Sequence, residues 1–219
     1  MTNIFRLGGD LSHLASILIL INTITKTKSV DGISLKTQVL YVLVFITRYI
    51  DLFTKWYSFY NTMMKIFFIT SSIYVVFVIK QSKRTNPVGF QNMITRDTFK
   101  IRFLIGFAAL MALLFHRKFS IVELFWSFSM WLESVAILPQ LFMLSKAGKA
   151  DTLTTHYIFA LGLYRTLYIP NWIWRYFAEN RYDKLSIVTG ILQTLVYSDF
   201  FYIYYKKVIK EGTGFELPV

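Results

Sequence analysis

FSIVELFWSFSMWLESVAILPQLFML, residues 119 to 144, is long enough to cross a bilayer, yet it carries two carboxylates, Glu123 and Glu133, within its apolar run. About 20 apolar residues span the hydrocarbon, and a charge at its centre costs roughly 2.5 to 3.5 kcal/mol on insertion scales. Such residues turn toward other helices or a polar cavity instead of lipid. The pattern repeats outward along the chain, in apolar segments at about 7 to 25, 37 to 54, 57 to 79, 98 to 115, 119 to 144, 153 to 173 and 184 to 205. Arg48, Asp51, Lys65, Arg165 and Asp199 lie inside them, with His13 in the first. The fourth segment is the shortest: its charge-free run covers Phe103 to Phe115, and Thr98 to Arg102 must complete the span. The chain therefore reads as an all-α membrane protein of seven transmembrane helices around an internal binding site.

Composition excludes a soluble globule. Hydrophobic residues make up 55% and aromatic residues 18% of the 219, and mean hydropathy is +0.47, which leaves too little polar surface for a water-soluble protein of this length. The net charge of +12 is concentrated between apolar segments, without a nucleic-acid motif, and suits anionic membrane lipid better than nucleic acid. There are no cysteines, so disulfides and thiolate metal sites are excluded. No metal cluster, phosphate-binding glycine loop or nucleophile constellation is visible; neither an enzyme nor a cofactor is expected. Arg6 precedes the first apolar run, but no small-residue cleavage site follows it, so that segment reads as retained.

Orientation follows from loop charge. One side carries fourteen basic residues, from Lys26 to Lys36, Lys80 to Arg102, Lys146, Lys149 and Lys206 to Lys210; the other carries Arg6, Lys55, Arg117, Lys118, Arg175, Arg181 and Lys184. The first side is then cytosolic, the N-terminus lumenal, and residues 206–219 a cytosolic tail behind a single domain of residues 1–205. A faint repeat lies within that domain. The stretch from Ser34 to Gln38 opens a helix that reaches Arg48 and Tyr49, and Thr152 to His156 opens one that reaches Tyr164 and Arg165. The expected architecture is two parallel three-helix repeats, about 5 to 80 and 119 to 205, joined by an inverting helix at 98 to 115, with the site between them.

Helical spacing gathers the candidates. Tyr164, Tyr168, Asn171 and Arg175 form one stripe, which Pro170 is expected to bend; Glu123, Trp126, Met130 and Glu133 form another. Arg48 and Asp51 are three apart, while Arg6, Asp10 and His13 occupy neighbouring turns. Arg48 with Asp51, or Arg165 with Glu133, can equally be structural ion pairs that fix helix register. Trp174 suits an interfacial aromatic belt, whereas Trp172 and Trp126 are candidate pocket walls. Excess arginine favours recognition of carboxylates, which guanidinium groups bind in bidentate fashion.

The stretches Gly9–Leu14, Thr47–Phe53, Leu132–Leu141, Thr155–Tyr157, Gly162–Arg165, Asn171–Arg175 and Ser198–Tyr202, in this order over nearly the whole chain, resemble the endoplasmic reticulum retention-signal receptors, the KDEL or HDEL receptor family. The resemblance implies a fold like that of SWEET and PQ-loop transporters. It also implies a cellular role, in which escaped soluble residents are captured in the Golgi by their C-terminal tetrapeptides, which are receptor-read addresses, and returned in coatomer-coated vesicles. By the same resemblance Arg48 and Tyr49 hold the terminal carboxylate, and Arg6 and Arg175 meet the acidic side chains. Tyr168, Asn171 and Trp172 shape the pocket, and Asp51, Glu123 and Trp126 face the first signal residue. His13, Glu133 and Tyr164, with Arg165 nearby, form a pH-sensing network, Asp199 serves transport, and Lys206, Lys207 and Lys210 are read by coatomer. An isolated histidine titrates near about 6.5, between the reticulum and the mildly acidic Golgi. The tail departs from animal relatives: Glu211 to Glu216 stand where a lysine-rich, serine-containing end occurs, which weakens a role for tail phosphorylation. The competing reading is a proton-coupled carrier of sugars or amino acids on the same seven-helix plan.

Overall fold

The structure, a computed structural model, describes residues 3–53, 56, 58–147, 149–150, 152–180, 182–210 and 215–216. Several of its helices start where polar side chains take up orphan backbone N–H groups. Asn3 caps α1 (Ile4–Thr27), Ser34 caps α2 (Leu35–Arg48) and Ser58 caps α3 (Phe59–Thr85). Asn86 ends α3 and, with Pro87 in the first turn, starts α4 (Pro87–Arg96); α5 (Arg102–Leu114) follows. Ser120 caps α6 (Ile121–Val135), and α7 (Leu138–Ala147), α8 (Thr152–Glu179) and α9 (Lys184–Tyr204) complete the set, with a π-helical turn at Tyr205–Lys210. Two short strands, β1 (Lys149–Ala150) and β2 (Phe215–Glu216), pair antiparallel and bring part of the tail back to the α7–α8 connection.

Each of the seven apolar segments coincides with a helix or a helix pair. Among the described residues, four stretches are long and apolar enough to cross a membrane: Ile4–Thr27, Phe59–Thr85, Ile121–Ala147 and Lys184–Lys210. α5 is a shorter apolar helix of 13 residues. At 28 residues α8 measures about 42 Å, and its Arg165, Asn171 and Arg175 lower its hydropathy. Three details differ from the sequence expectation. The second segment stops being α-helical at Arg48 and continues as a 3-10 turn over Ile50–Phe53, so Asp51 is not on the same helix as Arg48. The third runs on to Thr85, and α4 forms where a loop was expected, because its Met93 and Gly89 are buried on one face. α8 is a single helix with Pro170 inside it.

Between α6 and α7 the fifth span breaks. Pro139 cannot donate to the carbonyl four residues earlier, and Gln140 beside it uses the opening. Its Oε1 accepts from Ser34 N at 2.7 Å, its Nε2 donates to Gly32 O at 2.8 Å, and its backbone N–H reaches Thr37 Oγ1 at 3.0 Å. The broken span thereby clasps the start of α2. Asp97 closes the same corner by accepting from Lys36 N at 3.0 Å, and burial raises its carboxyl above the ordinary carboxylate range.

α1 runs along α8, α2 packs on α6 and α3, and α9 packs on α8 and α6, with α5 covering α6 from outside. Apart from His13, the buried side of α1 is a stripe of small and aliphatic residues that includes Gly9, Ser16, Ile17, Leu20 and Ile24, which lets the α1 and α8 backbones approach closely. Ser12 Oγ, for example, donates to Ala160 O at 2.8 Å. Replacing Gln140 with Ala orphans the Ser34 N–H and the Gly32 carbonyl in the interior. The expected cost is about 2 to 4 kcal/mol, read as a fall in Tm of roughly 5 to 10 °C in detergent; an unchanged Tm would refute the clasp.

Candidate functional site

At the core of the bundle the Glu133 carboxylate is fully buried. It pairs with Arg48 of α2 and Arg165 of α8 and accepts from the Tyr164 hydroxyl. Arg48 is further held by Ser129, Nε on Oγ at 3.1 Å and Nη2 on the carbonyl at 3.0 Å, while Arg165 Nε donates to Gln193 Oε1 of α9 at 2.9 Å. Among the described residues this cluster sets two guanidiniums against one carboxylate. The surplus positive charge lies where water is scarce, so a further anionic group nearby is favoured.

His13 joins the cluster by ring contact. Its imidazole lies between Tyr164, stacked at 4.2 Å between ring centres, and Phe68 at 4.5 Å. Tyr164 then meets Tyr168 edge-on at 6.2 Å, and Tyr168 meets Trp172 at 6.0 Å. The four-residue spacing of these rings on α8 makes a continuous aromatic column from the buried cluster to Trp172, about two turns before the helix ends. Close backbone approach leaves room for it: a Cβ on Gly9 would come within 2.7 Å of the Tyr168 ring, and one on Gly190 would collide with the indole of Trp172.

The column opens into a cavity of about 540 Å³ lined by Arg6, Arg117, Trp126, Tyr168, Asn171, Trp172, Arg175, Tyr182, Asp183 and Ser186. Three guanidiniums and four large aromatic side chains, with a few convergent polar groups, make a wall suited to an anionic chain end. Asp10 organises its floor. It accepts from Tyr168 at 2.5 Å and Tyr60 at 3.1 Å, and lies 3.8 Å from Arg6. Asn171, 2% exposed, accepts from Asn3 at 3.0 Å, and Arg175 donates to Glu179 at 3.1 Å.

Of the candidate binding residues, Arg6, Trp126, Tyr168, Asn171, Trp172 and Arg175 share this cavity. Arg48 instead reaches the Glu133 cluster, and Tyr49 stacks on Phe45 at 6.0 Å. Asp51 pairs with Lys65 at 2.8 Å. Glu123 pairs with Arg117 at 2.6 Å, and the same guanidinium lies 3.9 Å over the Trp126 ring and 3.9 Å from Asp183. His13, Glu133, Tyr164 and Arg165 are together. Asp199 is exposed in the last turns of α9, and Lys206 and Lys210 are exposed on the π-helical turn, roughly 30 Å along α9 from the cavity. The Lys207 side chain and residues 211–214 lie outside the described residues. Sequence reasoning missed Arg117, Tyr182, Asp183 and Ser186 on the cavity wall, and Ser129 and Gln193 around the cluster. The one available signal was that Arg117 precedes Glu123 and Trp126 by a short loop.

Fold and site together define a multi-pass helical membrane protein with a basic, aromatic-walled binding cavity above a buried ion cluster. Comparison narrows the class. Residues 29–175 match the family model described as ER lumen protein retaining receptor. The chain is 68% identical over 218 residues to an ER lumen protein-retaining receptor of Kluyveromyces lactis, covering 100% of both chains. It is 62% identical over 218 residues to that of Saccharomyces cerevisiae, and 51% identical over 216 residues to ER lumen protein-retaining receptor 2 of Gallus gallus, each match covering 99% of both chains. The chain belongs to the ER lumen protein retaining receptor family, a family of receptors and not of enzymes.

Replacing Glu133 with Gln leaves both guanidiniums uncompensated in the interior. A loss of about 3 to 5 kcal/mol is expected, measured as thermal unfolding of the purified protein. A variant as stable as the parent would show that the cluster is not what holds α2, α6 and α8 together.

Proposed function

We propose that this chain is a receptor that captures the C-terminal HDEL- or KDEL-type retention signals of soluble endoplasmic reticulum proteins and carries them back from the Golgi. The observation that carries this reading is the joint presence of three cavity guanidiniums and a surplus guanidinium at the core. A signal of that type presents two acidic side chains and a terminal carboxylate. The names of the relatives point the same way and disfavour the small-solute carrier.

In this reading Arg6 and Arg175 face the acidic side chains, with Tyr168, Asn171 and Trp172 as walls. Arg48 and Tyr49 take the terminal carboxylate. For this Arg48 must share its charge between the ligand and Glu133, which its several N–H groups allow. Asp51, Glu123 and Trp126 address the first signal residue, and a cation there has to displace Arg117 or Lys65 from its present partner. His13 is the proton-sensitive element: a charge gained on its ring beside Tyr164 and Glu133 draws the ligand's carboxylates inward. Linkage then requires ligand to raise the proton affinity of the cluster, and about 1.4 kcal/mol of coupling is tenfold in affinity. At the far end of α9, Asp199 belongs to the transport step, and Lys206, Lys207 and Lys210 present a cytosolic signal to coatomer.

The seven-helix repeat is part of the proposal, and the packing supports it. A two-fold that exchanges the first three spans with the last three turns the α1–α8 contact into α6–α2, α2–α3 into α8–α9, and α1–α3 into α6–α9. All six contacts occur. With seven spans and the more basic loops in the cytosol, the N-terminus is lumenal and the tail cytosolic.

Peptide titration of the purified protein tests the reading. A free HDEL-type peptide should bind more tightly at mildly acidic than at neutral pH, and amidation should weaken it by about tenfold or more. Arg175→Ala should cost a similar factor, about 1.4 kcal/mol. Replacing His13 with Ala should flatten the pH profile. Binding indifferent to amidation, or an unaltered pH profile in the His13 variant, would reject the corresponding role; peptide-independent solute flux in liposomes would favour the carrier.

A further inference from the structure

A second cleft, about 820 Å³ in volume, lies between the end of α5, the middle of α6 and the start of α9. Its apolar wall is Met111, Leu114, Phe115, Trp131, Leu185 and Val188, and its polar rim is His116, Arg117, Asp183 and Lys184. We propose that this cleft is a binding site for an anionic bilayer glycerophospholipid, with an acyl chain along Leu114 and Val188 and the phosphate at the His116–Lys184 rim.

Three observations carry the assignment. The volume falls within the range of specific ligand cavities, about 300 to 1,000 Å³. Polarity is graded along the helix axes: α5 is apolar up to Leu114 and α9 from Leu185, while the basic groups stand just beyond those ends. That gradient matches a lipid, whose phosphate lies at the interface and whose chains lie deeper. Leu114 and Val188 are 62% and 52% exposed, so the wall opens sideways toward the bilayer.

The third observation is Trp131. It is 5% exposed, it lines the cleft, and its indole Nε1 is buried without an acceptor among the described residues. A buried N–H without a partner costs about 1 to 3 kcal/mol. A modest rotation of the indole would bring this N–H to the cleft, where an ester or phosphodiester oxygen of a lipid supplies the acceptor that the apolar wall does not. Arg117, Tyr182 and Asp183 line both cavities, so a lipid here would share a wall with the peptide site without entering it.

The test uses the full chain in phosphatidylcholine nanodiscs that contain a trace of phosphatidylserine with a photoreactive diazirine in its acyl chain. Adducts are mapped by mass spectrometry. Labelling at Met111, Leu114 and Val188 should exceed that on the exposed face of α3, at Ile73 and Phe77, by about fivefold, and unlabelled phosphatidylserine should compete. Val188→Trp, which fills the cleft, should bring it down to the α3 level. Trp131→Phe, which keeps a ring and removes the N–H, should lower it about threefold and carries the test if the first variant fails to fold. Labelling equal on all apolar faces, labelling unchanged in Trp131→Phe, or cross-links between two copies of the chain at these residues would overturn the proposal. An equal yield from a phosphatidylcholine probe would overturn the role of the basic rim.

Discussion

The pairing of one buried carboxylate with two guanidiniums from different helices is the constraint on which the rest of the bundle depends. Each charge alone would be expelled from the apolar interior; together, with the Tyr164 hydroxyl, Ser129 and Gln193 satisfying the remaining polar groups, they are tolerated. Because the partners come from α2, α6 and α8, and Gln193 from α9, the cluster sets the register of four helices that lipid-like packing alone would leave free to slide. Nothing comparable is needed to hold α5, which covers α6 with a largely apolar surface.

The same cluster is wired to the cavity by geometry that tolerates little change. Gly9 and Gly190 let Tyr168 and Trp172 lie against neighbouring backbones, and the ring column then joins Tyr164 to the cavity wall. Asp10, holding Tyr168 and Tyr60 while lying near Arg6, ties α1, α3 and α8 at the cavity floor. In the proposed reading, a proton or an anion at either end of the column acts on the same few rings.

Much of this was legible because hydropathy is a local property. The seven apolar segments could be read directly, and so could Glu133 and Arg165 as candidates for one ion pair, since an isolated charge in such a segment demands a partner. The partner of Arg48 could not be read so easily. Asp51, three residues on, is nearer in sequence than Glu133, and only the end of α2 at Arg48 together with the α2–α6 packing decides between them. Lys65 with Asp51, and Arg117 over Trp126, are pairings set by loops whose geometry has no sequence period. Gln140 is a further case: the proline beside it announces a bend, but the backbone groups of Gly32 and Ser34 that it satisfies lie more than a hundred positions away.

The internal pairs also shape how selectivity can arise. Glu123 and Asp51 are already neutralised by Arg117 and Lys65, so a cationic first residue of a ligand would exchange one ion pair for another instead of meeting a bare carboxylate. The free energy of that exchange is a difference between similar terms, and small changes in the loops holding Arg117 and Lys65 would retune it. The anionic end of a ligand faces a different situation, because the core cluster holds one more guanidinium than it has carboxylates. In the proposed reading, affinity rests on the buried surplus of charge, while discrimination at the first position rests on the exchangeable pairs at the rim. A receptor built this way can vary its preferred signal through peripheral residues and leave the interior of the bundle unchanged.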